Sequence, residues 1–123
     1  ALSFGGGNPD GLQAVTESWN GTNWTEVNDL NTARTQAGGS GTYTSALGFG
    51  GGAPDVTAVT ELWNGTNWTN VNALSTARTG LAGHGTSTIG LAAGGYDTDS
   101  TAATEEWDGT GFIIETLTTT SDN

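Results

Sequence analysis

Residues 61–69 read Glu61-Leu62-Trp63-Asn64-Gly65-Thr66-Asn67-Trp68-Thr69, and residues 17–25 repeat this stretch with one change, a serine in place of Leu62. A third copy, in residues 105–112, has drifted to Glu-Glu-Trp-Asp-Gly-Thr-Gly-Phe. The first tryptophans of the copies, Trp19, Trp63 and Trp107, are therefore 44 residues apart. A period of this length is typical of solenoids, propellers and other repeat arrays. The sequence predicts a chain built from three copies of one structural unit.

The centre of each copy carries a turn signal. Asn20-Gly21 and Asn64-Gly65 in the first two copies become Asp108-Gly109 in the third. The residues on either side favour strands, and these dipeptides accept the positive φ angles of a type I′ turn. Each copy is predicted to be a β-hairpin closed by a two-residue type I′ turn.

Two further segments recur in the units. A short apolar segment ending in glycines occupies residues 1–7, 46–52 and 90–96, and a glycine-rich segment follows each arginine, at residues 35–41 and 79–85. Small residues suit places where backbones approach closely. The unit then reads as a glycine-rich strand, a Gly-Gly strand, a Glu-x-Trp strand and an outer strand, and four antiparallel strands make a propeller blade. The predicted blades cover about residues 1–33, 34–77 and 78–123.

These features resemble the kelch repeat. The resemblance rests on the Gly-Gly strand, on Glu61 and Trp63, on the second aromatic residue Trp68, and on a Leu-x-x-Ala-Arg connection from Leu74 to Arg78. It implies an all-β fold, a β-propeller of four-stranded antiparallel kelch-like blades that serves as a binding scaffold. The repeated sequence Asn-Gly-Thr-Asn-Trp-Thr, rich in Thr and Asn, is also similar to kelch-type repeats of structural and fibre proteins of marine bacteriophages. The third copy departs from the pattern, with Phe112 for the second tryptophan and no Ala-Arg pair after it.

The strand count is one short of three whole blades, because the chain provides eleven strands and the innermost strand of the first blade is missing. Propellers close with about 4 to 8 blades, and an open arc exposes strand edges to unwanted pairing. We therefore expect either self-association, most simply a dimer forming a six-bladed ring, or further blades of a longer chain. The tail, residues 118–123, is a weaker candidate for the missing strand, donated to a partner copy.

The composition excludes several classes of partner. Two basic residues face 13 acidic ones, for a net charge of −11, so neither nucleic acid nor an anionic membrane surface is an expected partner. The sequence has no run of 18 apolar residues, so no membrane insertion is expected. Cysteine is absent, which removes disulfides and thiolate metal sites.

Charged and aromatic residues that recur at the same place in each unit are predicted to be structural. The glutamates are expected to bind the arginines or backbone N–H groups, and the tryptophans to pack between adjacent blades. The competing functional readings are a cation site for the glutamates, sugar stacking for the tryptophans and an anion site for the arginines. The residues of this structural set are Glu17, Trp19, Trp24, Arg34, Glu61, Trp63, Trp68, Arg78, Glu105 and Trp107.

The loops expected after the Gly-Gly segments, at residues 8–12, 53–56 and 97–100, differ in length and composition while their surroundings repeat. Variable loops on a fixed frame are where binding usually resides. Residues 97–100 resemble the opening of a calcium loop, but the glycine and the bidentate glutamate that such a loop needs are missing, so neither a metal nor another cofactor is predicted. The candidate ligand-binding residues are Asn8, Asp10, Asp55, Tyr96, Asp97 and Asp99.

No catalytic residue is predicted. His84 is the single histidine, and two near-identical copies hold no unique set of reactive groups, which catalysis usually requires. The expected function is a non-catalytic binding or adhesion module, or a structural module of a virion surface, that recognises a glycan or a host-surface protein. The expected location is extracellular or on a virion. The alternatives are a purely structural shell or fibre component and, less favoured, a kelch-fold oxidase or a carbohydrate-active enzyme.

Overall fold

The computed structural model describes residues 1–97 and 100–115, and these residues form thirteen β-strands and no helix. All paired strands run antiparallel. The strands are β1 Leu2–Phe4, β2 Gly7–Asn8, β3 Gly11–Leu12, β4 Thr16–Trp19, β5 Trp24–Val27, β6 Gly38–Gly41, β7 Ala46–Phe49, β8 Thr60–Trp63, β9 Trp68–Val71, β10 Ala82–Gly85, β11 Gly90–Ala93, β12 Thr104–Trp107 and β13 Phe112–Glu115.

The strands form three larger sheets, which we name by their position along the chain. The N-terminal sheet has the order β1-β4-β5, the middle sheet β6-β7-β8-β9 and the C-terminal sheet β10-β11-β12-β13. The predicted all-β fold and the four-stranded antiparallel arrangement are confirmed for the middle and C-terminal sheets. Among the described residues, the N-terminal sheet has no counterpart of β6 or β10, so β1 lies at its edge.

The loop expected at residues 8–12 contains a small hairpin instead. Strands β2 and β3 pair Gly7 with Leu12 and Asn8 with Gly11. The side-chain Oδ1 of Asn8 accepts hydrogen bonds from the backbone N–H of Asp10, at 2.9 Å, and from Nε2 of Gln13, at 3.1 Å. An asparagine that binds nearby backbone in this way stabilises a tight turn, and this local effect is why a hairpin replaces the loop.

The type I′ turn predicted for the repeated hairpins is wrong. The turn runs from Asn64 to Asn67, and its central residues are Gly65, with φ of +99°, and Thr66, whose φ is not positive. A type I′ turn needs a positive φ at both central residues, and here only the first has one. The reason is the Asn64 side chain, whose Oδ1 accepts the N–H groups of Thr66 and Asn67, both at 2.9 Å. The asparagine thus caps the turn from outside the two central positions.

The innermost strands β6 and β10 approach each other closely. A Cβ atom added at Gly83 of β10 would lie 2.6 Å from the backbone nitrogen of Gly39 and 2.7 Å from Cζ of Phe49. Real Cβ atoms do not approach other atoms so closely. Glycine at this position is therefore required by the packing of one sheet against the next.

We expect Gly83→Ala to lower the free energy of unfolding by about 1–3 kcal/mol or more, since the added methyl group meets backbone that cannot move aside. Gly111→Ala is the matched control, because its Cβ would meet only the Asn72 side chain, at 3.6 Å. Denaturant unfolding of both variants checks this prediction. Equal losses in the two variants would contradict the proposed crowding.

The hydrophobic core lies between the sheets and forms two clusters. The first cluster is centred on Leu30, Ala46, Trp63 and Trp68, with residues of the N-terminal sheet packed against it. A second cluster, between the middle and C-terminal sheets, contains the buried residues Leu47, Phe49, Leu74, Leu81, Ala92 and Trp107. Each sheet therefore buries its apolar face against a neighbour, as repeat architectures do.

Candidate functional site

The repeated arginine and glutamate form a buried ion pair between adjacent units. Nη2 of Arg34 donates to Oε2 of Glu61 at 2.9 Å, and both side chains are 0% exposed. Glu61 also accepts the backbone N–H groups of Asn31, at 2.7 Å, and Thr32, at 3.2 Å. Because Asn31 and Thr32 lie in the connection from β5 to β6, Glu61 fastens this connection to the middle sheet.

The two Nη groups of Arg34 make further hydrogen bonds to the middle sheet. Nη1 donates to the carbonyl oxygens of Gly50, at 3.2 Å, and of Val59, and Nη2 reaches the carbonyl of Gly48 at 3.3 Å. Burial lowers the pKa of Arg34, while the charge of Glu61 and the hydrogen bond to it oppose this change. The pKa of arginine begins so far above neutrality that the Arg34 guanidinium stays charged. This arginine is buried inside the fold, where an external anion would have to displace Glu61 to reach it, although Nε of Arg34 has no hydrogen-bond partner among the described residues.

The second copy of the ion pair has the same geometry. Nη2 of Arg78 lies 3.0 Å from Oε2 of Glu105, again with both side chains fully buried. Glu105 accepts the N–H groups of Ser75, at 2.6 Å, and Thr76, at 3.3 Å. The repeated pairs therefore have one role, which is to attach each connection to the sheet that follows it.

Glu17 is the counterpart of Glu61 and Glu105, but its environment is different. Its side chain is exposed, and among residues 1–97 and 100–115 it accepts no hydrogen bond and forms no ion pair. The first copy thus holds the carboxylate without the arginine that the other two copies supply.

The tryptophans show the same contrast. Trp68 is 5% exposed, its ring centroid lies 5.0 Å from that of Phe4, and its Nε1 donates to Oγ1 of Thr16 at 3.0 Å. Its counterpart Trp24 is 50% exposed. Trp63 and Trp107 are buried, whereas Trp19 is partly exposed. Inter-sheet packing therefore holds for the second and third copies, while the first copy presents its aromatic residues to solvent.

Several residues that hold the sheets together are not among those predicted from the sequence. Thr16 is 0% exposed and receives the Trp68 indole, and Asn28 donates to the carbonyl of Thr66 at 2.8 Å across two units. Asn72 donates in the same way to the carbonyl of Thr110. Their signal was present, because Thr16 and Asn28 recur 44 residues later as Thr60 and Asn72.

The variable loops lie at one end of the three sheets, since each follows the equivalent strand β1, β7 or β11 and leads to β4, β8 or β12. We call this end the loop edge. Among its candidate residues, Tyr96 is 50% exposed and its backbone pairs with Thr79 and Ser100. Asp99 lies outside the described residues, as does the tail considered as a strand donor. The remaining candidates are all exposed, namely Asn8, Asp10, Asp55 and Asp97.

The opposite end of the sheets carries the hairpin turns. Hydrogen bonds from the backbone N–H of Thr110, from its hydroxyl and from the N–H of Gly111 lower the pKa of Asp108. This fully exposed carboxylate caps its turn as Asn20 and Asn64 do in the other copies. Its perturbed pKa therefore has a structural cause.

The described residues hold no group of three His, Cys, Asp or Glu side chains placed to bind a metal ion. His84 lies exposed on β10, in register with Leu91 of β11. Within the same part of the chain, no helix has the length and apolar character needed to cross a membrane.

The fold of this chain is similar to that of a solved protein structure. A solved structure titled "Structure of YjhT" superposes with a TM-score of 0.73, covering 94% of this chain at 13% sequence identity. The chain spans 42% of the length of that structure. At this identity the likeness shows the fold alone. No protein-family model matches the sequence, and no curated protein matches it.

Proposed function

We propose that the three sheets are kelch-like blades of a β-propeller and that the chain is a non-catalytic binding scaffold on an extracellular or virion surface, with the loop edge as its contact surface. One observation carries this proposal. In the middle and C-terminal sheets the charged and aromatic residues that repeat are buried in contacts between sheets, whereas the candidate residues that differ between units are exposed at the loop edge. A glycan or a protein of a host surface is the ligand class we favour, because exposed tyrosine and carboxylate or amide side chains suit hydrogen bonding and stacking with such surfaces.

Two tyrosines provide a matched test. Tyr96 lies at the loop edge and is 50% exposed, and Tyr43 lies in the β6–β7 turn at the opposite end and is 48% exposed. Binding to a glycan array and to candidate host cells should be weakened at least about tenfold by Tyr96→Ala, a loss typical of a central aromatic contact, and unchanged by Tyr43→Ala. Asp55→Ala combined with Asp97→Ala should weaken the same binding.

A purely structural shell or fibre component makes the opposite prediction. Such a component has no saturable binding to any glycan or cell in the array, with or without the tyrosine substitutions. Equal losses in Tyr96→Ala and Tyr43→Ala would also overturn the loop edge as the contact surface, because they would place the ligand elsewhere.

A further inference from the structure

Each complete sheet receives one continuous segment from the unit before it. Residues 30–41 and 74–85 share the pattern Leu-x-Thr-Ala-Arg-Thr, followed by a strand that ends in Gly-x-Gly. In the middle sheet the segment buries Leu30, donates two N–H groups and the Arg34 guanidinium to Glu61, and then pairs as β6 with β7. The second segment does the same for the C-terminal sheet through Arg78 and Glu105. We call this a connector-strand segment.

The N-terminal sheet has the contact surface for such a segment, but no segment of the described residues occupies it. A pocket of about 160 Å³ is lined by Ser3, Glu17 and Trp24. The equivalent residues in the middle sheet are Gly48 and Glu61, which bind the Arg34 guanidinium, and Trp68 beside them. The pocket therefore lies where the arginine of a connector-strand segment belongs.

A second cavity lies where the strand of that segment belongs. It has a volume of about 320 Å³, flanks β1 and is lined by residues that include Leu2, Phe4, Gly39 and Ala46. Strands β7 and β11, the counterparts of β1, are each paired on this side with a glycine-rich strand. Two separate cavities thus coincide with the two parts of one segment.

The first tryptophan supplies a third observation. Nε1 of Trp63 donates to the carbonyl of Tyr43, and Nε1 of Trp107 donates to the carbonyl of Ser87, both at 3.0 Å. Tyr43 and Ser87 lie in the turns that directly follow the connector-strand segments. Among the described residues, Nε1 of Trp19 donates to no such carbonyl, as expected if the corresponding turn belongs to the absent segment.

We propose that the N-terminal sheet is a docking site for a connector-strand segment of a further repeat unit, whose arginine binds Glu17 and whose glycine-rich strand pairs with β1. This inference concerns assembly and stands independently of the ligand at the loop edge. The occupant needs a guanidinium for Glu17 and a leucine eight residues before its strand, as Leu30 is before β6. Its strand also needs glycines, because the backbones of inner strands approach within van der Waals distance of each other.

A second copy of this chain fits the site poorly. Arg34 and Arg78 are already buried in their own ion pairs. The sequence contains no lysine and no third arginine, and the residue 44 positions after Arg78 is the acidic Asp122, so a second copy offers no further cation for Glu17. Charge complementarity therefore favours a unit whose connection carries arginine.

The test uses the whole chain and a synthetic peptide with the sequence of residues 30–45. We expect saturable one-to-one binding by calorimetry, with a change in tryptophan fluorescence because Trp24 lines the pocket that the arginine enters. A peptide with glutamine for its arginine should bind at least about tenfold more weakly, and so should the native peptide to Glu17→Gln, since a buried charge-assisted hydrogen bond is lost. Glu106→Gln, an exposed glutamate on β12, is the control and should leave binding unchanged.

Two further measurements keep the proposal falsifiable. In a fusion protein, residues 30–45 are joined directly before Ala1, which keeps the length of the turn between β6 and β7. This fusion should have a higher unfolding midpoint than the original chain. Glutamine in place of the arginine of the joined segment should cancel most of the increase. If the free peptide does not bind and the joined segment gives no rise, the proposal is overturned. A native mass showing a two-chain ring that excludes the peptide would also overturn it, in favour of a second copy as the occupant.

Discussion

Trp68→Ala is expected to lower the free energy of unfolding by about 3–5 kcal/mol, the range found for removing a large buried aromatic side chain. The indole fills the space between the N-terminal and middle sheets, where it contacts the Phe4 ring. In the native protein the hydroxyl of Thr16, which is 0% exposed, accepts a hydrogen bond from Nε1–H of Trp68. The substitution removes this hydrogen bond. An unpaired buried polar group adds its own penalty. Chemical denaturation monitored by circular dichroism measures the loss.

Trp24→Ala is the control that isolates the contact between sheets. Trp24 occupies the same position of the repeated hairpin and stacks on Trp19 with a centroid separation of 5.4 Å, the same separation as between Trp68 and Trp63. The stacking within the hairpin is thus matched, while half of the Trp24 surface is exposed. We expect Trp24→Ala to cost less than about 1 kcal/mol. Comparable losses in the two variants would mean that hairpin stacking, not inter-sheet packing, stabilises the fold.

Arg34→Met is expected to lower the free energy of unfolding by about 3–5 kcal/mol, because it leaves the carboxylate of Glu61 buried without a cation. Methionine keeps most of the apolar stem, so the loss reports the charge and its hydrogen bonds. Glu61 would retain the N–H donors of Asn31 and Thr32, which neutralise it only in part. Denaturant unfolding near neutral pH is the measurement.

Glu17→Gln serves as the control for the ion pair. Glu17 is the same residue of the repeat, but it is exposed and has no cation among the described residues. We expect a change within about 0.5 kcal/mol, as for ordinary surface substitutions. A double variant, Arg34→Met with Glu61→Leu, should lose less than the sum of the two single changes, because it removes the uncompensated charge. Additive losses would show that the two side chains do not act as a pair.

Local sequence signals predicted the strands well. The 44-residue period located the hairpins, the alternation around Trp63 placed β8, and glycine doublets marked the ends of β1, β7 and β11. Strand order followed from short connections between neighbouring segments. The turns are less predictable from sequence. The Asn64-Gly65 dipeptide predicts a type I′ turn with Asn64 at its centre, whereas Asn64 lies one position before the central residues and its side chain caps the turn. A dipeptide signal identifies a turn but does not say which atoms close it.

The candidate site was predicted only in outline. The loop-edge residues were recognisable because they vary while their neighbours repeat, and Arg34 and Glu61 because they recur. The hydrogen bond from Trp68 to Thr16 could not be foreseen, since it joins residues 52 positions apart and depends on how two sheets pack. The cavities at Glu17 and beside β1 were likewise invisible, because a cavity is a property of packing and not of any single stretch.

The sequence by itself determined the repeating unit, its strands and the side chains that each unit offers, because turns and strand preferences depend on neighbouring residues. Only the tertiary structure decided what those side chains do. Residues 17–25 and 61–69 differ at one position, yet Glu17 and Trp24 face solvent while Glu61 and Trp68 are buried. The reason is that burial requires a neighbouring sheet on the correct side. Within the described residues the middle unit has that neighbour and the first does not.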